Sequence, residues 1–379
     1  MRENMLGAYG SWASALTGRE PGAYSLRHPR FRSLGTWKKK ALAKVVECVA
    51  EPELRGSVRA RVEKQYEWNG LHVEELSWQL PMGPRTRAVF LKPSGARGPL
   101  PAVLALHDHG GRKYWGLRKI VQLPGRRHPL VVEHQRQYYS DVGWANELAR
   151  RGYAVLVHDG FLFGSRRMRY ADVPEVLNGG RRDGNPEARR EVLEYNAWSG
   201  AQESVVAKSL FCAGTTWPGV VLAEDRKALD YLCGRRDVDA DRVGCGGLSG
   251  GGLRTVFLGG LDERIKAAVC IGFMSTWNDF LLHKSHTHTW MTYVPLLPRL
   301  LDFPEILGLR APLPTLVQNC NEDALYTVRG MKAADAILRA VYAKANAADH
   351  YACRFYSGGH KFDAPMQQDA FDWWDGYLR

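Results

Sequence analysis

The stretch Cys245-Gly-Gly-Leu-Ser-Gly-Gly-Gly252 crowds glycines around a single serine, and Gly247 to Gly251 reads G-x-S-x-G. Glycine loses the most backbone entropy on folding, so such clustering is costly unless the chain must bend sharply or be approached closely. The preceding DADRVG has a short strand-like run and the following LRTVFLGGLD has helical character. A strand, a sharp turn and a helix are what a nucleophile elbow requires, because only small neighbours let strand and helix cross so closely under the strained serine. Ser249 would then stand at a helix N-terminus, where free N–H groups favour developing negative charge.

A serine hydroxyl needs a base, and the base needs an acid to orient it, in the chain order Ser, Asp/Glu, His. Five histidines follow Ser249: His283, His286, His288, His350 and His360. Of these, His360 lies in a loop just after a late strand, in RFYSGGHKF. PTLVQNCNED ends a buried strand with Glu322 and Asp323 directly after it. Asp323 is the preferred acid because its shorter side chain is more easily fixed, with Glu322 as the alternative. Ser249 is thus read as nucleophile, His360 as general base and then acid, and Asp323 as the group that holds the imidazole tautomer. The tetrahedral intermediate needs donors too. One is the backbone N–H of Gly250; the other comes from the loop His107-Asp108-His109-Gly110-Gly111, with His109 preferred and Gly110 next.

These residues need a scaffold that brings strand ends together. PLPAVLAL and YAVLVH are apolar runs that break off into polar, glycine-rich loops, as strands buried on both faces of a parallel sheet do. WANELARRG, VVLAEDRKALDYLCGR, VRGMKAADAILRAVYAKA and QQDAFDWWDGYLR have helical spacing, and IKAAVCIGF, PTLVQNC and YACRFY read as strands. Three further strand-like runs occupy residues 58–93, after a helix over 36–50. The alternation argues an open, mostly parallel α/β sheet flanked by helices, with the chemistry at the carboxyl ends of its strands. Residues 1–55 form a leading arm and helix, and residues 56–379 the main domain. Insertions at about 168–215 and 278–311 follow strand ends and are expected to lie over the active edge as a partial lid. Trp115, Trp217, Trp290 and Tyr293, with Tyr114, fall on loops or insertions where aromatic rings could border a sugar or aryl group.

LALHDHGGRKYWG, HDGFLFGSR, DRVGCGGLSGGG, LDERIKAAV, the segment from TYVPLLP to NEDALYT, and GGHKF together resemble the α/β-hydrolase superfamily, in particular its dienelactone hydrolase and acetyl xylan esterase-like group. The matching pieces span roughly residues 80–379, and the serine, aspartate and histidine coincide with that group's triad. The resemblance implies hydrolysis of carboxylic esters through an acyl-enzyme. Dienelactone hydrolases use cysteine as nucleophile and are shorter, so serine at this elbow and the N-terminal extension point to the acetyl-esterase branch and a small acyl group.

Other classes are less well supported. No nucleotide-binding glycine motif is present, so no cofactor is expected. His107-x-His109 and His286-x-His288 have spacing that a metal could use, but the first is explained by the oxyanion loop and the second by a lid, and no metal is expected. The net charge of +12 is spread over loops at 27–32, 38–40, 125–129, 166–169 and 181–190, without a nucleic-acid motif. The seven scattered cysteines form no CxxC pair, which suits a reducing cytoplasm. No apolar run approaches the ~20 residues of a membrane span. The partner is therefore a small-molecule or carbohydrate ester, with no nucleic acid and no membrane. Two alternatives stand beside esterase: a peptidase or amidase of the prolyl-oligopeptidase type, and a non-catalytic scaffold of the same shape holding an anionic or carbohydrate ligand.

Overall fold

The computed structural model describes residues 4–184 and 187–379. The first three residues of the expected arm, and Asn185 and Pro186 in the first expected insertion, lie outside them.

Nine strands form one sheet: β1 (Arg61–Trp68), β2 (Leu71–Trp78), β3 (Thr86–Pro93), β4 (Leu100–Ala105), β5 (Ala154–His158), β6 (Val238–Leu248), β7 (Ile265–Ile271), β8 (Thr315–Cys320) and β9 (Tyr351–Tyr356). Their order is β1-β2-β3-β5-β4-β6-β7-β8-β9. The first three strands pair antiparallel, β3 pairs antiparallel with β5, and every pairing from β5 to β9 is parallel. β1 closes one edge with the exposed charges Arg61, Glu63, Lys64 and Glu67, which discourage pairing with another chain.

Alternate residues of the central strands feed two cores. On β4, Ala102 and Leu104 face one side, with Trp37, Leu229 and Val256 from the helices Leu34–Val49, Trp217–Cys233 and Gly250–Leu261. Val103 and Ala105 face the other, with Tyr139, Trp144 and Trp374 from the helices Pro129–Tyr139, Trp144–Arg150 and Ala364–Leu378. This is the period-2 logic of a strand buried on both faces. The helix Pro129–Tyr139 has no counterpart in the sequence reading; His128 caps it through Nδ1 and Pro129 opens it.

The leading segment carries one short helix, Gly10–Ala15, and is tied to the region after β7. Tyr24 N–H donates to Leu300 O at 2.8 Å, and Ser25 and Arg27 both bond Glu305. All seven cysteines are free thiols, with Cys245, Cys270 and Cys320 buried. Among the described residues no single helix is long and apolar enough to cross a membrane. The pair Glu203–Cys212 and Trp217–Cys233 would pass only jointly, and it bends by 87°.

Candidate active site

β6 ends in the turn that carries Ser249, and the helix Gly250–Leu261 starts directly after it. Ser249 has φ 59° and ψ −116°, a conformation that side chains rarely adopt and that neighbouring structure must enforce. Its N–H donates to Ile271 O at 2.8 Å, fastening the elbow to the end of β7. The surrounding glycines are required by close approach. A Cβ on Gly247 or Gly251 would stand 2.1 or 2.2 Å from Leu106 O, where β4 runs out.

His360 follows β9 and reaches the same place. Its Cε1 would lie 3.0 Å from a Cβ on Gly272, the residue after Ile271, and that Cβ would also meet Leu248 at 3.1 Å. Its Nδ1 bonds Asp323 Oδ2 at 2.6 Å, and among the described residues its buried Nε2 has no hydrogen-bond partner. The two acidic candidates part company after β8. Asp323 is buried and also accepts from Leu325 N–H at 3.0 Å, whereas Glu322 accepts from Gly358 N–H at 3.2 Å. Imidazole and carboxylate are thus joined through Nδ1, and Nε2 is the ring nitrogen left without a partner among the described residues.

His109 and Gly250 meet in front of this elbow. A Cβ on Gly250 would lie 2.7 Å from the His109 nitrogen. Neither N–H has a partner among the described residues. Gly110 has φ 52°, and a Cβ there would collide with Asp108 Oδ2 at 2.4 Å and His134 Cε1 at 2.6 Å. A cavity of about 10 Å³ opens beside His109 and Gly250, walled by Phe161, Phe163, Val221 and Met291. That is room for about one water-sized group.

The loop is held by buried charges that the sequence reading did not single out. Gly111 N–H donates to His109 Nδ1 at 3.1 Å, so Nε2 carries the ring proton and donates to Glu203 Oε1 at 2.6 Å. Lys113 Nζ stands 2.7 Å from the same oxygen. Burial opposes the charge on Glu203, but hydrogen bonding from His109 and the charge of Lys113 outweigh it and hold the carboxyl well below its usual range. The other Glu203 oxygen accepts from Thr289 Oγ1 at 2.6 Å and Trp290 N–H at 3.3 Å. On the opposite side, Asp108 Oδ1 accepts from His134 Nε2 at 3.1 Å and Tyr139 OH at 2.5 Å. Burial opposes that charge as well, yet His134 and Lys119 keep the Asp108 carboxyl far below the normal value. Lys113 and Lys119 follow the loop closely in sequence, whereas Glu203, His134 and Tyr139 come from distant segments, and no local pattern marks any of them.

The aromatic residues divide. Trp115 is buried with its ring 4.9 Å from His128, in the wall of a different, arginine-lined cleft. Trp217 is 1% exposed and packs on Phe161 and under the Lys113 ammonium, 4.7 Å from its ring. Trp290 is exposed and meets Tyr293 edge-on at 6.3 Å, and the Tyr293 hydroxyl donates to Ser285 O. His288 lies close by, bonded to Leu325 O, and burial pushes its pKa down to about 4. His107 and Asp108 both turn to protein partners, His107 through Asp108 O and Gly160 N–H.

No family model matches the chain. It is 30% identical over 301 residues to the Bacillus subtilis (strain 168) protein named "Putative hydrolase YtaP", covering 79% of this chain and 85% of that one. In structure it is similar to a "putative acetyl xylan esterase" of Bacteroides fragilis (TM-score 0.68, 20% identity, 93% of this chain and 82% of that one). A glucuronoyl esterase from Solibacter usitatus also aligns (TM-score 0.61, 14% identity, 94% and 97%). The architecture they share with this chain is the α/β-hydrolase fold.

Proposed function

The chain belongs to the α/β-hydrolase family of YtaP, and from that premise we propose that it is a serine esterase acting on carboxylic esters with a small acyl group. The observation that carries the reading is the strained Ser249 at the helix start, flanking the β7 end that also supports the Asp323-bound His360. The family's hydrolase name supports the reaction class, and the esterase names of the structural neighbours support the choice of ester. The acetyl xylan esterase name supports the acetyl-esterase branch of the expected resemblance, while the glucuronoyl esterase name supports ester hydrolysis without specifying an acetyl group.

In this mechanism Ser249 Oγ attacks the ester carbonyl while His360 Nε2 takes its proton. Asp323 keeps the ring proton on Nδ1 and stabilises the imidazolium that forms. The carbonyl oxygen gathers negative charge against the His109 and Gly250 N–H groups, which are fixed before the reaction starts. His360 then protonates the departing alcohol. An incoming water gives a proton to the same nitrogen as its oxygen bonds the acyl carbon, and His360 returns that proton to Ser249 Oγ as the bond to the acid breaks. Phe161, Phe163, Val221 and Met291 enclose a cavity of about 10 Å³ beside these donors, which favours a small substituent there over a long one.

The test is hydrolysis of p-nitrophenyl acetate, butyrate and octanoate by wild type and Ser249→Ala. Acetate should be the best substrate, and the variant should lose on the order of 10⁴-fold or more in kcat. Equal rates for wild type and variant would remove Ser249 as nucleophile. Octanoate as the preferred ester would remove the small acyl pocket.

A further inference from the structure

Lys119 closes the short turn Leu117–Lys119 behind the loop that carries His109 and Gly110, and it is 1% exposed. Its ammonium donates to two main-chain oxygens, Asp108 O at 2.6 Å and His109 O at 2.9 Å. The Asp108 oxygen also receives His107 Nδ1 at 3.0 Å, the tautomer being set by Gly160 N–H donating to His107 Nε2. The peptide of the Asp108 carbonyl carries the His109 N–H, and that of the His109 carbonyl carries the Gly110 N–H. A cation on a carbonyl oxygen draws the amide nitrogen's electrons towards it and leaves the N–H proton more positive. The two peptides are also locked against rotation.

A lysine present only to neutralise Asp108 would sit on its carboxylate. Here Nζ is 3.6 Å from Asp108 Oδ2, an oxygen with no hydrogen-bond partner among the described residues, and closer to both carbonyls. We propose that Lys119 is a positioning residue of the oxyanion hole, which orients and polarises the peptide that presents the His109 N–H and, through the His109 carbonyl, the adjoining peptide of Gly110. This rests on the esterase reading, since it assigns a purpose to the same hole.

Burial pushes the Lys119 pKa down to about 8, with Asp108 and Asp159 opposing the fall and Arg112 adding to it. The other groups facing it are His107 and His109, both lowered first by burial, and the ring of Phe163 at 4.7 Å. A neutral amine still donates hydrogen bonds but no longer carries the charge. Raising the pH therefore removes polarisation while the loop stays in place.

The first measurement is the pair of backbone ¹H–¹⁵N resonances of His109 and Gly110 in the full-length protein, followed from about pH 6 to about pH 10. Both should shift together with an inflection near the Lys119 pKa. The inflection should vanish in Lys119→Met and in Lys119→Arg, which is charged throughout. On p-nitrophenyl acetate, Lys119→Met should lower kcat by roughly tenfold to a hundredfold, short of the ~10²–10³ lost with a deleted oxyanion donor, and change KM little. The alkaline fall of wild-type kcat should be absent from that variant. Resonances that stay flat in wild type, an inflection that persists in the folded variants, or a Lys119→Met enzyme with wild-type kcat would each overturn the proposal. If Lys119→Met does not fold, the wild-type and Lys119→Arg titrations decide. If Ser249→Ala hydrolyses esters as fast as wild type, the esterase reading fails, and the resonances still report whether Lys119 polarises the two peptides.

Discussion

At the scale of single residues, Gly250 shows how little space the reaction centre leaves. An added Cβ would stand 2.7 Å from His109 N and 3.1 Å from His109 Cβ. Gly250 is the first residue of a helix, where alanine is the better helix former. Gly250→Ala drives its methyl against the His109 backbone nitrogen, so the His109 loop must give way. The variant should lose about 10²–10³ in kcat on p-nitrophenyl acetate through the displaced donor, while far-UV circular dichroism reports that the helix is retained. A folded variant with wild-type kcat would put the developing charge elsewhere. The strained turn at Ser249 and the pairing of Asp323 with His360 were legible in the sequence because they depend on order along the chain and on what kind of element each residue follows. Lys119, His134, Tyr139 and Glu203 were not. They meet the oxyanion loop from 10 to 94 residues away and depend on packing that no local pattern encodes. Trp217 shows the converse: its type suggests a ligand platform, and its ring is 1% exposed, packed on Phe161 and beneath the Lys113 ammonium.

At the scale of elements, Glu203 is a clasp between three of them. It opens the helix Glu203–Cys212, binds His109 and Lys113 in the loop after β4, and binds Thr289 and Trp290 in the segment after β7. The side chains of Lys113 and Glu203 are 3% and 9% exposed, so solvent screens the pair little. Glu203→Ala strands a buried ammonium and should cost about 3–5 kcal/mol in urea denaturation at neutral pH. The folded carboxyl titrates below its unfolded range, so its contribution is present above about pH 4 and fades as pH falls through that range towards the folded value. The stability gap between wild type and Glu203→Gln should accordingly narrow on acidification. A gap unchanged between about pH 7 and about pH 3 would show that the carboxylate charge is not what holds the clasp. The strands and most helices around this clasp were legible from apolar runs and helical spacing. The helix Pro129–Tyr139 was missed because PLVVEHQRQYY mixes apolar and polar residues on both sides, and its buried positions include His134 and Gln135. Those two are buried by hydrogen bonding to the loop between β4 and the helix itself, which is a tertiary fact.

At the scale of the whole molecule, the net charge of +12 has a local concentration. A cleft of about 1060 Å³ runs between the strands β1 to β3 and the loop from Tyr114 to Arg127, and it contains none of Ser249, Asp323 and His360. Arg118 and Arg127 in its wall are paired with Glu187 and Asp141, and Arg85 bonds Ser77. Arg87 and Arg126 have no side-chain hydrogen bond or ion pair among the described residues, so their fields extend into solvent. If that field reaches the approach to Ser249, an anionic ester gains encounter rate by steering, and salt removes the gain because the Debye length shrinks from about 30 Å at 0.01 M to about 3 Å at 1 M. Values of kcat/KM for an anionic aryl ester should then fall severalfold over that range while those for its neutral counterpart hold steady. Charge reversal at Arg87 and Arg126 separates the cleft from the overall charge: it should flatten the salt response of the anionic ester and leave the neutral ester as it was. Equal salt responses for both esters in wild type would mean that the positive surface is not sensed at the nucleophile, and the cleft would play no part in delivering substrate to it.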